Sequence, residues 1–90
     1  MTVTASEAGR LRWHSLYESV SLELERQRLK WGRQDHWADH WYLIVSEEFG
    51  EIAKALTERN ADQAQTEIVE TIACLVQLWA AVGQESRRDQ

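Results

Sequence analysis

The sequence contains no proline and only four glycines in 90 residues, so the two residue types that most often break helices are nearly absent. Ala, Leu, Glu, Gln and Arg are plentiful instead, and the composition points to helix almost throughout. Cysteine occurs once, which excludes an intrachain disulfide. Cys74 sits in an apolar run with no positive charge beside it to hold a thiolate, and reads as a buried structural thiol rather than a nucleophile. Positive charge is in deficit: ten basic and fifteen acidic residues leave −5, which argues against a general nucleic-acid binder. A small phosphorylated ligand stays open, because local patches decide that. The start of the sequence lacks the basic segment and apolar stretch of a signal peptide. No apolar run approaches the about 20 residues of a membrane span. The expectation is a cytoplasmic protein with neither membrane nor nucleic acid as partner.

What is present suffices for one domain over residues 1–90, with about 1–9 and 84–90 expected to be flexible. Hydrophobic residues at 43% and charged residues at 28% suit a folded chain, but so small a core makes subunit association a reasonable expectation. Trp13, Leu16, Tyr17, Val20 and Leu24 recur at three- and four-residue steps and predict a first helix over 11–29. Gly32 is its expected stop. A second helix is predicted from about Ala38 to Thr57. Asn60 and Gln63 have the spacing of an N-cap and its reciprocal partner, which starts a third helix near Ala61 and carries it to about Gly83. The fold expected is all-α, an antiparallel bundle of about three helices completed by oligomerisation. No internal repeat, linker or low-complexity segment interrupts it.

The second helix carries an anomaly. At 100° per residue, Trp41, Ile44, Val45, Ile52, Ala55 and Leu56 form one apolar face. Glu48 falls in the middle of that face, Glu51 at its edge and Glu47 further out. A carboxylate on a core face carries a penalty of several kcal/mol unless it is paired, metal-bound or protonated. The third helix repeats the pattern. It is apolar around nearly its whole circumference from Ile68 to Val82, which calls for burial on all sides and hence a partner subunit. Glu67 and Glu70 nevertheless stand one turn apart on one side, which continues with Cys74, Gln77 and Ala81 and leaves room for a ligand. Two neighbouring helices thus each present acidic residues at i and i+3. A divalent cation relieves such repulsion, and all-oxygen ligation selects Mg²⁺, with Mn²⁺ as substitute. Solvation, or pairing with Arg and Lys, is the structural alternative.

These residues resemble a known family. The stretch Ser46-Glu47-Glu48-Phe49-Gly50-Glu51-Ile52-Ala53-Lys54-Ala55-Leu56 resembles the Glu-Glu-x-x-Glu helix of the MazG-like, all-α nucleoside triphosphate pyrophosphohydrolases. Glu67-Ile68-Val69-Glu70 ahead of an apolar helix resembles their Glu-x-x-Asp helix, with Glu70 where the family usually has Asp. Lys30-Trp31-Gly32-Arg33-Gln34 is similar to the Lys-Trp-Gly-x-Gln loop of the short bacterial and phage members. The resemblance implies hydrolysis of a nucleoside triphosphate, NTP or dNTP, to monophosphate and pyrophosphate. By motif position it implies Glu48, Glu51, Glu67 and Glu70 as ligands of Mg²⁺. Glu47 is the candidate catalytic residue that orients or deprotonates the water. Many members hold phosphates with a fourth helix, so here those ligands are expected from elsewhere or from another subunit. Lys30, Arg33 and Lys54 are the nearby cations for the triphosphate. Trp31 is the aromatic favoured for stacking on the base, ahead of Trp37.

His36 and His40 stand one turn apart, but no third ligand accompanies them at fixed spacing, so loop and cap roles are expected rather than zinc. A di-iron bundle is set aside, because no Glu is followed three residues later by His. The rival from another class is a non-catalytic helical oligomer with the same fold, acting as an interaction or regulatory module. Self-association as a dimer or tetramer is expected under either reading.

Overall fold

The computed structural model describes residue 2 and residues 4–88, and among these it is all-helical. Helix α1 spans Ala5–Trp31, α2 Ala38–Thr57 and α3 Ala61–Arg88. α1 begins two turns earlier than the apolar stripe predicts, because Thr4 caps it: its hydroxyl accepts from the Glu7 N–H at 3.2 Å. Gly32 ends it with φ +71°, a conformation that glycine adopts without a Cβ clash, and its N–H donates to the Arg28 carbonyl at 2.8 Å.

The α2–α3 connection is tighter than the sequence suggests. Arg59 adopts φ 55°, and the Asn60 N–H reaches back to the Ala55 carbonyl at 2.9 Å, closing the end of α2 in the manner of a Schellman motif. Asn60 then caps α3, its side-chain oxygen accepting from the Gln63 N–H at 3.1 Å. The expected reciprocal bond is absent. Gln63 instead donates its amide forward to Glu67 at 2.7 Å.

α3 is the hub. α2 packs on it extensively and α1 more lightly, while α1 and α2 do not pack on each other. Trp41, Val45, Cys74 and Ala81 form the core between α2 and α3, with Ala38, Ile44 and Leu78 against it. Of the predicted α1 stripe only Val20 is buried, and Leu16 and Leu24 are half-buried; Trp13 and Tyr17 stay exposed, on the part of the helix with the least to pack against. α3 is also, by length and composition alone, apolar enough to cross a membrane, at a mean hydropathy of 1.3. Only 28% of that apolar stretch is buried against the other two helices.

α3 does not stop at Gly83. It continues because Glu85 is used: its Oε1 accepts from the Ala38 N–H at 2.8 Å, capping the start of α2 across 47 positions of sequence. Trp37, the N-cap residue, makes no side-chain cap bond of its own. A carboxylate there answers both an orphan donor and the positive end of the helix dipole. Glu85→Ala is expected to lower unfolding free energy by about 1–2 kcal/mol, the usual cost of losing a cap. Glu85→Gln should recover part of it, and urea unfolding of the two variants beside the parent checks the order.

Candidate metal centre

Glu48 comes from the third turn of α2, and Glu67 and Glu70 from consecutive turns of α3. The antiparallel packing of the two helices brings one carboxylate oxygen from each within 4.8 Å of the others. Glu67 is buried, 9% exposed, and Glu48 and Glu70 are half-buried. Two neighbours help to set the positions on α3. Gln63 donates to Glu67 at 2.7 Å, and the buried Thr71 hydroxyl donates to the Glu67 carbonyl at 2.7 Å.

Glu48 Oε2 is buried and has no hydrogen-bond partner. The Glu48 carboxyl faces Glu67, and two carboxylates supply only acceptors, so they bond only with a proton or a cation between them. Burial, followed by the facing Glu67 and the charges of Glu70 and Glu51, pushes the Glu48 carboxyl up to about 7. Burial and Glu67 raise Glu70 as well, against the pull of Arg26. Burial, then Glu48, Glu23 and Glu70, lifts the Cys74 thiol to about 11, which fits its reading as an inert core thiol. The donor set, all oxygen with one oxygen unsatisfied, suits a hard divalent cation.

Glu51 lies outside this triad on the exposed rim of α2, where its charge reaches Glu48 but its oxygens do not join the other three. The fourfold ligand set of the motif therefore becomes three converging carboxylates and one peripheral one. Glu47 is exposed on the far side of the α2 wheel. No family model, curated protein or solved structure matches this chain. The chemistry open to the site follows from its own donors and surroundings.

A cleft of about 1120 Å³ opens between the C-terminal half of α1, the 32–37 loop, Trp41 and the C-terminal half of α3. Gln77 and Ala81 line it, on the side of α3 that the sequence left small and polar. Arg33 lines it too, its Nε donating to Asp35 at 3.1 Å. Lys30 and Trp31 stand outside its lining. The Lys30 Nζ lies 4.6 Å from the centre of the Trp31 ring and covers one possible stacking face. Lys54 is exposed on α2. His36 stacks on His40 at 4.3 Å between ring centroids and meets Trp41 edge-on at 4.9 Å, a loop-packing role.

α1 contributes three residues that the sequence reading did not single out. Glu23 accepts from Arg26 Nε at 2.7 Å, Arg26 Nη2 at 2.8 Å and Gln27 Nε2 at 2.7 Å. Arg26 holds the Glu23 carboxyl below its usual range, and burial opposes it. The signal was available: Glu23 and Gln27 share the inward face of α1 with Leu16 and Val20, as Glu48 shares one with Val45 and Ile52.

Proposed function

We propose that the chain is a divalent-cation-dependent hydrolase that converts a nucleoside triphosphate to monophosphate and pyrophosphate. The observation that carries this reading is the Glu48 carboxyl, which has one buried, unpartnered oxygen and converges with the carboxyls of Glu67 and Glu70. In this reading Glu48, Glu67 and Glu70 hold Mg²⁺ or Mn²⁺, and Glu51 adds negative charge at the rim. When bound, such an ion supplies neutralisation of phosphate charge and a more acidic water. Glu47 is exposed and is the residue assigned to accept the water's proton by motif position alone. The cleft between α1, the loop and α3 has room for a nucleotide, with Arg33 and Gln77 as polar contacts, and none of the three glutamates is in its lining. For Trp31 to stack on a base it must offer a ring face that neither Lys30 nor Arg26 covers. We further propose a dimer or tetramer acting in the cytoplasm, with no nucleic-acid partner.

The alternative, a non-catalytic helical oligomer, draws on one observation: Tyr42, Phe49, Leu56, Leu75 and Trp79 are all exposed, more apolar surface than a monomer ordinarily carries. A screen of the common ribo- and deoxyribonucleoside triphosphates with Mg²⁺ separates the two readings. The expected result is release of pyrophosphate rather than orthophosphate, abolished by chelator. Absence of any release, with melting unaffected by divalent cations, leaves the oligomer.

A further inference from the structure

The chain exposes more surface than its mass requires. Its accessible area is 7300 Å² at 10.5 kDa, where a folded monomer of that mass shows about 5,400 Å². Its radius of gyration is 15.7 Å, against about 12 Å for a compact chain of this length. The surplus of about 1,900 Å² falls within the roughly 1,000–2,500 Å² that each subunit of an obligate dimer buries. Part of it is an overhang. α1 meets the start of α3 at Ser19 and Leu22, which share a hollow with Asp62 and Thr66, and then follows α3 in the same direction as far as Leu29 and Val76. Residues 5–18 therefore project past the first turn of α3 for about 20 Å. Trp13, Leu16 and Tyr17 carry the inward stripe of Val20 and Leu24 onto this overhang, and Trp13 and Tyr17 are more than half exposed there. A stripe built to pack on a helix thus continues where the chain's own helix is missing. The side of α3 away from α1 offers a second apolar surface of matching length: Ile68 to Val82 spans about 21 Å, with Trp79 nearly fully exposed.

Charge decides how two copies bring these surfaces together. Arg10 and Arg12 flank the overhanging stripe, and neither forms an ion pair among the described residues. Residues 38–86 carry nine acidic side chains against Lys54 and Arg59 alone, and α3 has no basic residue before Arg87. Overhang on overhang would set arginine against arginine, and α3 face on α3 face would set one acidic unit against another. Overhang on face joins opposite signs. We propose that residues 5–18 of α1 form an arm that docks on the Ile68 to Val82 face of a second copy of this chain. It rests on the self-association proposed above and is independent of the hydrolase reading. Two-fold symmetry makes the exchange reciprocal: each copy gives an arm and receives one, and both orphan surfaces are covered. An amphipathic helix laid on an apolar helical surface, with anchors three and four residues apart, is a recurrent mode of recognition.

Complementation between two variants of the full chain tests this, with mass read by light scattering and helicity by circular dichroism. The arm variant carries Trp13→Glu and Tyr17→Glu, and the face variant carries Trp79→Glu. Each alone should raise the dissociation constant about 100-fold or more, since both contacts of the dimer lose aromatic anchors. Mixed in equal amounts, they should recover dimer mass at concentrations where neither does so alone, because one intact arm then meets one intact face. If either variant fails to fold, Arg10→Glu with Arg12→Glu must still weaken self-association, and raising the ionic strength must weaken that of the parent. An arm variant that associates like the parent, or a mixture that stays monomeric, overturns the arm while leaving self-association in place. A monomeric parent overturns both.

Discussion

In metal-free buffer the protein should melt at a higher temperature at pH 5 than at pH 8, and Glu48→Gln should remove most of that difference. The sign comes from burial of Glu48 beside Glu67, which raises its folded-state pKa from 4.5 to about 7. A raised carboxyl contributes stability that is fully present below the unfolded value and is lost as pH climbs through the folded one. The window is therefore about pH 4.5 to 7, and Glu70, raised for similar reasons, acts in the same sense. Glu23 runs the other way, but its lowered value puts its contribution below this range. Above pH 7 the triad is charged and crowded, and here Mg²⁺ should act most strongly. At about 100 times its Kd a ligand that binds only the folded state adds about 2.7 kcal/mol, on the order of 10 °C for a domain this size. Glu48→Gln keeps the side chain's shape while removing one charge. Without metal at pH 8 it should leave melting unchanged or raise it; with Mg²⁺ the gain should shrink and pyrophosphate release should fall by about 100-fold or more. A loss of stability that is the same with and without metal would show that Glu48 has a structural partner, and the ligand assignment would fail.

Trp79→Glu should dissociate the protein. On α3 the apolar residues Ile68, Ile72, Leu75, Trp79 and Val82 follow one another at steps of 4, 3, 4 and 3, the rhythm of a helix-packing seam. Trp79 is 79% exposed and Ile68, Leu75 and Val82 are between 39% and 51%. On α2, Tyr42, Phe49 and Leu56 stand seven residues apart and are all exposed. Helical phase turns both stripes toward the side of the α2–α3 pair away from α1. If a second copy covers this face, each buried large apolar side chain contributes about 1.5–3 kcal/mol, and a charge in its place is doubly unfavourable in a symmetric contact. Light scattering at micromolar concentration should then show an oligomer for the parent and a monomer of lower melting temperature for Trp79→Glu. A monomeric parent, or a variant with unchanged mass and melting, would show that no second copy covers the face.

Much of this was legible in the sequence because helix periodicity is a local property. The limits of α2 and the start of α3 follow from Ala38, Thr57 and Asn60 alone, and Gly32 marks its turn. The acidic cluster was legible for a related reason: a carboxylate in phase with Val45 and Ile52 has to meet something. What escaped was every relation set by tertiary distance. Glu51 shares the i, i+3 spacing with Glu48, as Glu70 does with Glu67, yet it lies on the side of Glu48 away from Val45 and stays exposed on the rim. Glu85 looks like a residue of a polar tail until α2's first N–H is found beside it. Arg26 is one arginine among several on α1, and only its two bonds to Glu23 distinguish it.

The hub arrangement of α3 has a consequence for how the chain acquires its structure during synthesis. α1 and α2 leave the ribosome first, and neither has the other to pack against. Their apolar faces wait in solution for a helix that is translated after both, and the start of α2 waits longer still for Glu85. Because Glu67 and Glu70 belong to that same helix, the three carboxylates meet only when the final helix docks. Folding of this small domain is thus weighted toward its third helix, and nascent chains that stop short of α3 would expose apolar surface with Glu48 still apart from Glu67 and Glu70.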